Sequence, residues 1–163
     1  MPQNELLADI IRRDAGTLKM TFGDMTDAEL AQRPVPGANT PLWQIGHLIN
    51  ADANMANACS GRTIVELPAG FSERYKKDAA AENDPKKMGN KAELLALFEK
   101  NRNAIANWVA TLSTDDMAKP APEKLRGFAP TVGHVAQVIP AHFSMHLGQI
   151  QVLRRKLGKP LLF

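Results

Sequence analysis

The sequence predicts an all-α fold, a four-helix bundle, on three observations. Four long segments repeat apolar residues at helical spacing, residues that start or stop helices bracket most of them, and no run of alternating β-branched residues reads as a strand. The chain has 163 residues, of which 44% are hydrophobic and 23% charged. One core serves a chain of that size, so residues 1–163 read as a single domain.

The first long helix is expected from about Asn4 to Phe22, because Leu7, Ile11, Leu18 and Phe22 fall on one face. A short helix over Asp27 to Gln32 and the turn-rich PVPGAN follow. The second long helix is expected from Pro41 to Ser60. Thr40 suits its N-cap, Pro41 its first position and Gly61 its stop. The third runs from about Lys91 to Leu112, with Asn90 and Glu93 as a capping box and Leu94, Phe98, Ile105, Val109 and Leu112 as its apolar stripe. The fourth runs from about Val132 to Leu157, between Thr131 and Gly158. Pro140 lies inside it and predicts a kink rather than a break, since helical spacing persists on both sides. The mostly polar connection from Arg62 to Gly89 is long enough to let the second and third helices run parallel. The one from Ser113 to Pro130 holds a short helical stretch after Thr114.

Composition narrows the function. No apolar run approaches the roughly 20 residues of a membrane span. Charges interrupt the N-terminal apolar residues, unlike a secretion signal, so the expected location is the cytoplasm. The net charge is only +3, and the basic pairs and the run Arg154–Arg155–Lys156 read as solvated helix faces. No basic and aromatic stripe suits a nucleic-acid backbone. Cys59 is the only cysteine and reads as a small buried or half-buried side chain.

Four histidines are present: His47, His134, His142 and His146. His142 and His146, in HFSMH, stand one above the other on a helix, with Cβ atoms about 5–6 Å apart. Both rings can therefore reach one ion at about 2.0–2.1 Å. A third ligand must come from another element, and His47, central in the second long helix, is the natural candidate. Position 143 is Phe, so HExxH and its helix-borne base are absent. His134 lies roughly 80° around the axis from His142 and reads as structural or solvent-facing, with a minor alternative as a ligand.

WQIGHL (Trp43 to Leu48), followed by HFSMHLGQI (His142 to Ile150) and the closing RRKLGKPLLF, resembles the DinB/YfiT-like superfamily. The resemblance covers essentially the whole chain. It implies a four-helix bundle of up-down-down-up topology with long crossover connections. It also implies one divalent ion, nickel or zinc foremost, on His47, His142 and His146. Where many relatives carry a further histidine one turn before the HxxxH pair, this chain has Val138. The resemblance further implies a metalloenzyme acting on a small molecule, by transfer dependent on a low-molecular-weight thiol such as bacillithiol or mycothiol, or by hydrolysis; the other reading is a non-catalytic metal- or ligand-binding module. Pairing into homodimers is also implied, although no self-complementary patch is visible. The family name gives no reason to expect DNA binding.

Asn50, Asn54 and Asn57 continue the face of His47. They read either as the polar wall of a wet pocket, with Asn50 and Asn54 beside ligands or substrate, or as ordinary interhelix hydrogen bonders. Gln149, one turn beyond His146, is open to the same two readings. Asp14 interrupts the apolar face of the first helix. It reads as a surface or ion-paired carboxylate, or as a group that orients a ligand histidine or acts as a base. No convincing acid or base otherwise accompanies the histidines.

Overall fold

The computed structural model describes every residue except Asn83, Leu161 and Phe163, together with all side chains of the described residues but that of Asp78. The end of RRKLGKPLLF therefore lies outside the described residues. Among them there is no strand, only an isolated bridge between Pro120 and Thr131. No helix among the described residues is long and apolar enough to cross a membrane.

The long helices are α1 (Gln3–Phe22), α3 (Pro41–Ser60), α6 (Lys91–Ala110) and α8 (Val132–Lys156). Short helices α2 (Asp27–Leu30), α4 (Phe71–Arg74), α5 (Pro85–Met88) and α7 (Thr114–Ala118) sit in the connections. The helix after Thr26 ends two residues earlier than its sequence suggests, and α6 stops at Ala110, with Thr111 as its C-cap. Thr40 accepts from the Trp43 N–H to start α3, and Gly61, at a φ of 66°, ends it in a conformation that L side chains disfavour. Asn90 caps α6 by accepting from the Glu93 N–H, and α8 continues unbroken through Pro140.

Two apolar clusters fill the bundle. One joins the C-terminal half of α1 (Leu18, Phe22) to the N-terminal halves of α3 (Leu42, Ile45) and α6 (Leu94, Phe98) and the C-terminal half of α8 (Ile150, Leu153). The other joins Ala8 and Ile11 to Ala53 and Ala56, Ile105 and Val109, and Val135 and Ile139. Consequently α1 and α8 run one way and α3 and α6 the other. The run Arg154–Arg155–Lys156 is not all solvated, which corrects the reading from charge alone. Arg154 is fully buried and donates to Asp24 and to the carbonyls of Thr21 and Pro160, fastening the end of α8 to the end of α1.

The long connection between α3 and α6 is better anchored than its polar composition suggests. Val65, Phe71, Tyr75 and Met88 are buried, and Asn57 of α3 holds it by accepting from the N–H groups of Ile64 and Val65 and donating to the Val65 carbonyl. The Tyr75 ring lies directly on Gly46, so a Cβ at position 46 would overlap it. The Tyr75 hydroxyl donates to the Met88 carbonyl, which leaves the ring little room to retreat. Gly46→Ala should therefore lower unfolding free energy by roughly 2 kcal/mol in urea denaturation: overpacking outweighs the ~1 kcal/mol that alanine gains in a helix. An unchanged or higher midpoint would show that Tyr75 is not wedged there.

Candidate metal centre

His47 on α3 and His142 and His146 on α8 meet where the two helices pack, with one ring nitrogen from each within 4.8 Å of the others. Nε2 of His142 and Nε2 of His146 are 3.1 Å apart. Ligands about 2.05 Å from a tetrahedral ion stand about 3.3 Å apart, so this pair is already near ligand spacing.

Each ring is held by its other face. The Gln44 amide N–H donates to the Asn39 carbonyl at 2.8 Å, which turns Gln44 Oε1 toward His146 Nδ1 at 3.2 Å. Gln149 Oε1 approaches the same nitrogen at 3.2 Å. Two acceptors facing Nδ1 place the proton there and leave the lone pair on Nε2, facing His142. His142 turns Nδ1 toward the buried carboxylate of Asp52, at 4.0 Å. His47 stacks on Trp43, one turn earlier, with ring centroids 4.7 Å apart and planes 8° apart, and the Tyr75 backbone beside it favours its charged form. Burial and the neighbouring rings disfavour the charged forms. His146 is pushed down to about 4, by burial first and then by His142 and His47, and His47 is lowered by burial and by His142. Neutral imidazoles are the form that binds metal.

Behind His142 lies a charged layer. Arg102 of α6 is 1% exposed and pairs with Asp52 of α3 at 2.9 Å and Asp14 of α1 at 3.2 Å. Its guanidinium also covers the rings of Phe98, at 4.7 Å, and Phe143 of α8, at 5.6 Å. One cation thus serves two buried carboxylates. Burial raises Asp14 to about 7, against the pull of Arg102 and with a push from Asp52.

The family model described as the DinB superfamily matches residues 11–150. The chain belongs to the DinB superfamily. YfiT from Bacillus subtilis, described as a probable metal-dependent hydrolase with an unusual four-helix bundle topology, superposes with a TM-score of 0.70 at 17% identity, over 96% of this chain and 89% of YfiT. A conserved protein from Enterococcus faecalis superposes with a TM-score of 0.73 at 16% identity, over 98% of this chain and 99% of its own. No curated protein sequence matches this DinB-superfamily chain.

The remaining residues singled out in the sequence have separate places. Gln149 touches His146. Asn54 donates to Asn50, which also accepts from the Ser72 hydroxyl, so this pair bonds within α3 and to the connection beyond it. Asn54 also lines an open groove beside His142. Asn57 holds the connection, as above. His134 is exposed, and its Nδ1 meets the capping hydroxyl of Thr131 at 2.8 Å, so it is no ligand. Asp14 is ion-paired, as one of its readings had it, but buried rather than on the surface. Asp52 is a carboxylate that faces His142, and its ion pair with Arg102 is why it does not serve as an acid or base there. Gln44, Asp52, Arg102 and Tyr75 were all missed in the sequence.

Asp14 gives a signed pH effect. With its folded pKa raised to about 7 above an unfolded value near 3.8, the folded state binds the extra proton between pH 4 and 7, and this group's contribution to stability falls as pH rises through that window. Asp14→Asn removes the dependence. The stability of the variant relative to the native chain should therefore climb from pH 4 to pH 7 and level off above, read by urea denaturation at several pH values. A flat or falling difference would contradict the assignment.

Proposed function

We propose that His47, His142 and His146 bind one divalent ion, nickel or zinc, and that the protein is a metal-dependent hydrolase of a small molecule. The observation that carries this reading is the orientation of the rings: each has a protein partner for one nitrogen, and the other faces converge. Nδ1 of His146 is committed to Gln44 and Gln149, and Nδ1 of His142 faces Asp52, so the Nε2 atoms of the two rings meet at 3.1 Å, near the spacing of two ligands of one ion. The donor set fits borderline ions, which imidazole suits. Three protein ligands leave a coordination position open, and an ion bound there supplies a Lewis acid and lowers the pKa of a bound water.

The chain's own residues fix the site. Gln44 holds the orientation and tautomer of His146, as partners outside a ligand shell do, and Asp52 presents a carboxylate toward His142. Trp43 screens one face of His47 from solvent. Asp52 is tied to Arg102, which keeps its carboxylate a fixed acceptor rather than a mobile base. Hydrolysis is preferred over thiol-dependent transfer because YfiT, whose fold this chain shares, is described as a probable metal-dependent hydrolase.

Protein stripped with a chelator and titrated with zinc or nickel near neutral pH should take up one ion per chain. His47→Ala should weaken uptake by at least ~100-fold, and Gln44→Leu by about tenfold, in line with the loss of a partner that orients a ligand. Failure of the native chain to take up either ion would overturn the proposal. Turnover of activated esters or amides that returns on adding the ion, and is lost in His142→Ala, supports the hydrolase. Uptake that raises only the thermal midpoint, with no turnover, would make the ion structural.

A further inference from the structure

Beside His142 a groove of about 890 Å³ runs between α3 and α8 under the Glu123–Leu125 turn. Its walls are largely apolar, with Met55, Leu125, Phe128, Val138 and Met145 prominent among them. Phe128 and Met145, 57% and 54% exposed, stand at its rim as two of the few large apolar side chains left open to water. One lining side chain is a cation, Lys124, and no salt bridge ties it down among the described residues.

The two polar ends come from different elements: His142, which faces Asp52, from α8, and Lys124 from the Glu123–Leu125 turn. The rest of the wall is largely apolar. Val138 forms part of that wall.

We propose that this groove binds the substrate of the histidine centre, an amphipathic small molecule whose anionic group pairs with Lys124 and whose apolar chain leads to a reactive group at His142. The class rests on the metal-centre reading for its chemistry, but the groove itself can be tested without an ion. An apolar trough with one cation selects a chain with a carboxylate or similar anion over a neutral or cationic one, since an unpaired like charge or a buried polar end would be penalised.

Octanoate and octan-1-ol are suitable probes, titrated calorimetrically into stripped and zinc-loaded protein. Octanoate should bind both forms. Lys124→Gln should weaken octanoate about fivefold, the scale of a partly screened ion pair, and leave octanol within about twofold. Ala141→Trp, which fills the trough from an exposed helix position, should abolish the binding of both, with folding checked by circular dichroism. Octanoate binding that needs zinc and ignores both substitutions would place the carboxylate on the ion and overturn the proposal, as would no binding at millimolar concentration or equal binding of both probes indifferent to Lys124. Zinc uptake is read separately in the same samples. Zinc binding without octanoate binding overturns the groove assignment alone, and octanoate binding without zinc uptake overturns the metal centre alone.

Discussion

The buried guanidinium of Arg102 joins all four long helices at one level. It rises from α6, pairs with Asp14 of α1 and Asp52 of α3, and covers the ring of Phe143 of α8. The two apolar clusters fill the bundle to either side of this layer. A buried ion cluster of this kind is costly to form and costlier to break singly, because removing one partner leaves a charge without compensation. Its effect is to place rather than to stabilise: Asp52 cannot leave its post without stranding Arg102, so the carboxylate that faces His142 is fixed from the other side of the bundle.

The same logic governs the other two rings. Gln44 is oriented by the Asn39 carbonyl at the start of α3, so the cap region of that helix determines which way an amide points in the interior. His47 is held between the Trp43 ring and the Tyr75 backbone, and Tyr75 is positioned by the absence of a side chain at Gly46. The segment WQIGH is thus a local device: its tryptophan supplies a stacking face one turn before the histidine, its glutamine a partner for a histidine on another helix, and its glycine a seat for the connection. Arrangement around a ligand shell, more than the ligands themselves, distinguishes a site from three nearby imidazoles.

Helix positions and caps were legible in the sequence because they depend on neighbours along the chain. Thr40, Pro41 and Gly61 bracket α3 as expected, and the HxxxH pair with a distant third histidine marked the candidate centre. The charged layer was harder to see because polar residues on a helix are read as solvent-facing. Its trace is a gap: Arg102 falls between Phe98 and Ile105 on the apolar stripe of α6, and Asp14 between Ile11 and Leu18 on that of α1. Opposite charges in matching gaps of two apolar faces are a pairing signal, but only once those helices are known to pack together. Tyr75 left no such trace, since its burial depends on a glycine 29 positions earlier in the chain, and Arg154 was hidden within a basic run whose other members are exposed.

The site depends on where the imidazole protons sit before any ion arrives. Nitrogen-15 shifts of the ring atoms in the stripped protein near neutral pH report this directly. His146 should show a protonated Nδ1 and a bare Nε2, with zinc then moving the Nε2 resonance while Nδ1 keeps its proton. A ring protonated on Nε2, or one averaging freely between tautomers, would contradict it, because the lone pair would not be held toward the site.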